Sequence, residues 1–397
     1  MKRDIGDLAL FGGRAAFLHP LTSHRPNTFD RSRLFDRLNW ALDNQWLSNG
    51  GPLAREFEDR VAELAGVRNC VATCNATVAL QLLLHAADLS GEVIMPSLTF
   101  AATPHAARWL GLEPVFCDID PVTGCVDPAL VAGAVTERTS AIVGVHLWGR
   151  PCAVAPLEKI AADHGIPVFF DAAHAIGCTT GGRAIGGFGT AEVFSFHATK
   201  VVSAFEGGAI VTDDDQFADR VRALHNFGKG LTTVSQAGGT NGKMSEAAAA
   251  MGLTSLDTFG DTVRHNRANY DAYRDELAGV DGVTFFAFDL HENNNFQYVI
   301  VEIDEETAGL NRDVLLDVLH AENVLALRPI GSPACHQLEP YRSGRLPHLP
   351  HTERLVARVV SLPSGTTVNR EEIRRICSII RFAVSHGAGV TARHRQG

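Results

Sequence analysis

The chain of 397 residues contains no run of 18 uncharged apolar residues, so no segment reads as a membrane-spanning helix. The apolar stretch at 8–11 is too short for the core of a secretory signal, and a cytoplasmic protein is expected. Long basic runs are missing too. Lys and Arg total 35 against 45 Asp and Glu, a net charge of −10. That balance argues against nucleic acid or anionic membrane as the main partner, though a local basic pocket stays open. The 8 cysteines include no Cys-x-x-Cys pair and no Cys/His finger spacing, so no metal site is expected. With 45% apolar residues available for a core, these cysteines read as small buried hydrophobes rather than disulfides. There is no internal repeat and no low-complexity segment. A dinucleotide fingerprint is lacking as well, because Gly186-Gly187-Phe188-Gly189 does not have G-x-G-x-x-G spacing.

What is present is an alternation of two segment types. Short apolar runs occur at 93–95, 114–117, 141–147, 167–170, 193–196 and 209–212. Helical periodicity lies between several of them, at 78–87, 101–110, 154–164 and 216–225. Continuous β-branched and aromatic runs separated by helices imply strands buried on both faces, hence an α/β fold with a mostly parallel sheet. Asn49-Gly50-Gly51-Pro52 breaks an earlier pair of helices at 31–46 and 55–64. After about residue 255 the pattern changes to a long polar helix at 262–277, strand-like runs at 283–288 and 298–303, and helices at 315–321 and 370–384. Two domains are therefore expected: residues 1–255, with the N-terminal segment, and a smaller α+β domain at 256–397. The tail from Ser385 is expected to fray.

Ligands of open α/β sheets bind beyond the carboxyl ends of the strands. Those ends carry Phe100, His146, the Asp171–His174 pair, and Ser195 with Lys200. Alone, each residue has an ordinary explanation as a cap, a solvated charge or a core side chain. Together they supply what pyridoxal phosphate (PLP) requires: an amine, a carboxylate for the pyridine nitrogen and an aromatic platform. The helix that follows Asn75-Ala76-Thr77 offers its first N–H groups to a phosphate.

With these residues assembled, the chain resembles the DegT/DnrJ/EryC1/StrS family of PLP-dependent nucleotide-sugar aminotransferases from about residue 49 to 380. The resemblance rests on an ordered set of short motifs. These include Gly51-Pro52 with Phe57-Glu58, Asn75-Ala76-Thr77, Pro96-Ser97-Leu98-Thr99-Phe100, Asp118-Ile119-Asp120 and His146-Leu147-Trp148-Gly149. Asp171-Ala172-Ala173-His174, Ser195 to Lys200, Glu206-Gly207-Gly208 and Met244-Ser245-Glu246 complete it. It implies a fold type I enzyme with a seven-stranded large domain. Lys200 would bind the cofactor covalently and then serve as acid and base, and Asp171 would face the ring nitrogen. Phe100 and Ala173 would cover the two ring faces, with His174 near the phenolic oxygen. Asn75, Ala76, Thr77 and Ser195 would hold the phosphate, joined by Asn241 from the partner subunit of a homodimer.

The wording departs from the family where Asn75-Ala76-Thr77 replaces Ser-Gly-Thr and Asn241-Gly242-Lys243 replaces Asn-Tyr-Arg. Lys rather than His at position 200 favours transamination over dehydration. Glu206-Gly207-Gly208 is similar to members acting at sugar C-4. The resemblance thus implies transfer of an amino group from L-glutamate to a dTDP-4-keto-6-deoxyhexose, with pyridoxamine phosphate between the half-reactions. A C-3 aminotransferase, an aminohydroxybenzoate synthase-like enzyme and a sugar dehydratase are the alternatives. Lys229, Lys243, Arg328 and Arg342 are candidates for the sugar-nucleotide pyrophosphate, and His146 and His336 for the sugar.

Overall fold

The computed structural model describes residues 2–23, 25–229, 238–329, 332–342 and 347–396. Seven strands form the main sheet: β1 (Asn69–Thr73), β2 (Glu92–Pro96), β3 (Glu113–Cys117), β4 (Thr139–Val145), β5 (Val168–Asp171), β6 (Ala191–Ser195) and β7 (Gly208–Thr212). Their order across the sheet is β1-β7-β6-β5-β4-β2-β3, and β7 alone runs antiparallel to its neighbours. Alternate residues of one strand enter different cores. Val71, Val93 and Met95 pack on one face, and Cys70, Ala72 and Ile94 on the other. This double burial is why the strands read as continuous apolar runs. β1 did not stand out in that way, since Asn69 and Thr73 bracket only three core-type residues.

Four helices of this unit are α1 (Arg31–Asp43), α2 (Pro52–Ala65), α3 (Ala76–Ala86) and α4 (Ala102–Trp109). Pro52 opens α2, where its missing N–H costs nothing. Glu246 is fully buried and caps the same helix, accepting from the backbone N–H groups of Leu53 (2.8 Å) and Ala54 (3.2 Å). A Cβ on Gly51 would lie 2.5 Å from the Glu246 carboxyl carbon, so two distant sequence motifs form one cap. Seven of the cysteines are buried, Cys74 is half-buried, and all eight are free thiols.

A second core packs on one face of an antiparallel sheet of β8 (Val283–Phe285), β9 (Val299–Ile303) and β10 (Val359–Leu362), whose Ile300 and Val359 enter the first core from the other face. The helix Arg370–Ser385 buries Ile373, Ile376, Cys377 and Ile380 here at near-helical spacing. The expected boundary at 255 falls inside the helix Glu246–Asp257. Asp118, at the end of β3, bridges the units by accepting from the N–H groups of His351 (3.0 Å) and Thr352 (2.7 Å) and from the Thr352 hydroxyl.

Two expectations need correction. The tail does not fray at Ser385: a further helix, Gly387–His394, buries Val390, and its Thr391 hydroxyl donates to the Gly309 carbonyl at 2.9 Å. The N-terminal segment packs against the second unit, not the large one. Leu8, Phe17 and Leu21 enter the second core, and Leu21–Thr22 pairs in parallel with Val324–Leu325. Its anchor is the buried Glu322, which accepts from the N–H groups of Ala9 (2.8 Å) and Ala16 (2.7 Å) and pairs with the Lys2 ammonium (2.7 Å).

Replacing Glu322 by Ala strands two backbone donors and one ammonium group. The expected cost is about 2 kcal/mol, read by denaturant unfolding, with proteolytic clipping before residue 23 as the accompanying sign.

Candidate active site

The carboxyl ends of β4, β5 and β6 and the N-terminus of α3 open onto a cavity of about 620 Å³. Its far wall comes from the second unit, through Tyr298, Leu327, Pro333 and Leu338. Asn75, Ala76, Thr77, Phe100, Asp171, Ala173, His174, Ser195 and Lys200 all line it.

At one end the Asn75 side chain caps α3 by accepting from the Val78 N–H at 2.9 Å. Asn75 is therefore occupied in holding the helix. The Ala76 and Thr77 N–H groups, first in the helix, have no intrahelical acceptor and form the positive end of its dipole. Gly208 permits this arrangement, because a Cβ there would lie 2.6 Å from the Ala76 nitrogen. Ala at position 76 in place of the family's Gly leaves these donors intact.

At the other end is Asp171, the last residue of β5. One carboxylate oxygen accepts from the Thr103 hydroxyl (2.8 Å) and the other from the Ala173 N–H (3.1 Å). Thr103 lies on α4 and is itself tied to Thr99 at 2.8 Å. Burial pushes the Asp171 carboxyl above the usual range, opposed by these hydrogen bonds and by the Lys200 charge. A cationic ring nitrogen would offset that burial. Phe100, by contrast, is 58% exposed although it is a large aromatic. A buried carboxylate with no cationic contact among the described residues, an exposed ring and an N-terminal phosphate cradle in one cavity fit PLP.

Between them lie Lys200 and His174. The Lys200 amine donates to the Tyr298 hydroxyl at 3.3 Å. His174 Nδ1 accepts from the Trp148 N–H at 3.2 Å, which places the imidazole proton on Nε2. Burial, and secondarily the Lys200 charge, holds its pKa well below the ordinary histidine value. Trp148 makes this bond from a left-handed backbone (φ 53°), unusual for a bulky residue.

Other candidates are placed elsewhere. Asn241 is exposed and outside the cavity lining. Of the four candidate cations only Arg328 lines the cavity, and it is paired with Asp313 at 3.0 Å. Lys243 donates to the Asn226 side chain at 2.8 Å. His336 is buried between Ser97 (2.6 Å) and Glu353 (3.3 Å), away from the cavity. His146 lines the cavity, but both of its nitrogens are engaged, with the Cys152 N–H (3.1 Å) and Glu192 (3.2 Å).

Sequence reading missed Thr103 and Tyr298. Thr103 lies four residues after Thr99, a helical spacing that could have drawn attention to it. Tyr298 gave no signal, since it reads as the first residue of a strand.

Residues 29–381 match the DegT/DnrJ/EryC1/StrS aminotransferase family. The dTDP-4-amino-4,6-dideoxy-D-glucose transaminase of Escherichia coli is 34% identical over 343 residues, 85% of this chain and 91% of that protein. The GDP-perosamine synthase of Escherichia coli O157:H7 is 32% identical over 349 residues, 86% of this chain and 93% of that one. The solved structure of DesI in the presence of its TDP-sugar product aligns with a TM-score of 0.96 and 62% identity, over 99% of this chain and 100% of that chain.

Asp171→Asn separates stability from function. The raised pKa means that the folded, cofactor-free protein holds this proton more tightly than the unfolded chain. Asp171 therefore costs stability as pH rises through its folded value. The variant should melt higher than the parent at pH 7, with the difference vanishing below the unfolded value of 3.8. Turnover should fall by at least about 100-fold. Melting curves across pH and a steady-state assay check both halves.

Proposed function

The chain belongs to the DegT/DnrJ/EryC1/StrS aminotransferase family, and from that membership we propose that it transfers the amino group of L-glutamate to C-4 of a dTDP-4-keto-6-deoxyhexose. The products are dTDP-4-amino-4,6-dideoxyglucose and 2-oxoglutarate. The observation that carries this substrate is the 62% identity to DesI, whose structure was solved with its TDP-sugar product. Identity of 34% to an enzyme named for the same 4-amino-4,6-dideoxy sugar supports it.

In this reading the sheet unit, up to about residue 255, carries the cofactor, and the unit after it walls in the substrate. Ala76, Thr77 and Ser195 would hold the PLP phosphate, and Phe100 and Ala173 would cover the ring. When bound, the cofactor supplies an electron sink for the carbon that loses its proton. Asp171 keeps the ring nitrogen protonated. His174 presents Nε2–H to the phenolic oxygen, since Nδ1 is held by Trp148. Lys200 would take up at its amine the proton lost from the Cα of glutamate. In the second half-reaction it moves a proton in the opposite sense, toward the sugar carbon. One amine serving two successive substrates gives ping-pong kinetics.

The same proposal includes a homodimer with shared active sites. Asn241 lies outside its own cavity, and the exposed Phe35, Leu42, Trp46 and Phe227 provide apolar surface for a second copy. No helix among the described residues is long and apolar enough to cross a membrane. Eight free thiols suit a reducing cytoplasm.

The deciding experiment offers keto-sugar nucleotides with L-glutamate and reads products by mass spectrometry and NMR. Amination of dTDP-4-keto-6-deoxyglucose at C-4 is expected; amination of a 3-keto sugar or a GDP-linked sugar alone would overturn the assignment. Lys200→Ala should lose at least about 1,000-fold in kcat together with the visible absorbance of the lysine-linked cofactor.

A further inference from the structure

We propose that Tyr298 is a positioning residue, whose hydroxyl holds the Lys200 amine in its working position. This rests on the reading of Lys200 as the proton carrier. Tyr298 precedes β9, whereas Lys200 follows β6, so the contact joins segments adjoining the two sheets that are 98 residues apart in the chain.

The Tyr298 hydroxyl is 3.3 Å from the Lys200 nitrogen and is the hydrogen-bond partner of that amine among the described residues. A lysine amine at the end of four rotatable bonds loses substantial entropy when it is fixed. Unless held, it spends little time where a proton can be taken. A phenol oxygen accepts an N–H from the amine in either of its protonation states. It can therefore keep the group in place both before and after proton transfer, leaving the remaining amine positions turned toward the substrate.

The tyrosine is itself held on both sides. Its ring meets the His174 imidazole edge-on, with centroids 4.8 Å apart and planes at 64°. The residue before it, Gln297, donates its side-chain amide to the carbonyl of Thr199, directly before Lys200. Two residues further back, the buried Asn295 donates to the His174 carbonyl at 2.8 Å and the Ile176 carbonyl at 3.1 Å. The Gln297 N–H returns to the Asn295 side-chain oxygen at 3.1 Å. Residues 295–298 thus form a clasp that grips the backbone on either side of the chemistry, and Tyr298 is the tip that reaches the reacting amine.

A hydroxyl that accepts from the ammonium form stabilises that form. Its removal makes the amine easier to deprotonate. Tyr298→Phe keeps the ring against His174 and deletes only the oxygen. The test uses the cofactor-free protein, labelled with an amine-acylating reagent over a pH series, with modification of the Lys200 peptide followed by mass spectrometry. In Tyr298→Phe the midpoint of Lys200 labelling is expected to fall by about one pH unit. In the cofactor-loaded enzyme kcat is expected to fall about tenfold, with KM for the sugar nucleotide and cofactor content unchanged. An unchanged labelling midpoint would overturn the proposal whatever happens to kcat. A shifted midpoint with parental kcat would overturn it as well, reducing Tyr298 to a packing residue. Labelling does not depend on which sugar is aminated, so failure of the substrate assignment remains distinguishable from failure here.

Discussion

A carboxylate buried at the end of a central strand, with no cationic side chain in contact among the described residues, sets the terms for everything around it. Asp171 is 5% exposed, and among the described residues its carboxylate is met by a hydroxyl and a backbone N–H. In low dielectric these two hydrogen bonds do not fully compensate for lost water. The protein therefore keeps an unmet demand for positive charge at one defined point. The strand beyond it maintains the geometry: the His146 N–H donates to the Asp171 carbonyl at 3.0 Å. Behind it a second buried carboxylate, Glu192, is fully satisfied by the Gly186 and Phe188 N–H groups and by His146. Of this neighbouring pair of buried acids, one is finished as structure and the other is left for a ligand to complete.

The second unit does more than cover this point. Two hydrogen-bonded ties cross from the sheet unit to the helix Pro350–Arg358. Asp118 caps its start, and the Ser97–His336–Glu353 chain reaches its side. Ser97 lies three residues before Phe100, and His336 directly follows the cavity residue Cys335. The aromatic platform and the opposite wall are thus fastened to each other by buried polar contacts. Such contacts are costly to break and so favour one relative placement. A cavity built from two cores can then hold the fixed distances that proton transfer requires.

How much of this the sequence disclosed depended on the range of the interaction involved. Six of the seven sheet strands were visible because burial on both faces leaves a continuous apolar record. β1 was not, being framed by polar residues that leave only three core-type residues between them. The residues set at strand ends, Asp171, His174, Ser195 and Lys200, were legible because topology gathers strand ends into one crevice. The roles of Gly51, Glu246 and Asp118 were not, although their motifs were noticed. Each acts across a long sequence separation as one half of a cap, and local pattern carries no trace of the other half. Tyr298 was hidden for the same reason. His336 attracted notice as a histidine near the substrate and proved to be part of an inter-unit tie. That distinction depends on burial, which one residue's identity does not encode.

The pairing of Leu21–Thr22 with Val324–Leu325 joins segments some 300 residues apart in the chain. During synthesis the first strand emerges with nothing to pair with, and its buried anchor Glu322 arrives only after the whole main sheet has been made. The sheet unit can settle as soon as its own strands are out. The second unit, assembled from segments on either side of the main sheet in the sequence, forms only after that sheet has been made. Until Tyr298, Leu327, Pro333 and Leu338 have been made and placed, the cavity wall is unfinished and the lysine unclasped, so competence for chemistry follows the second unit rather than the sheet.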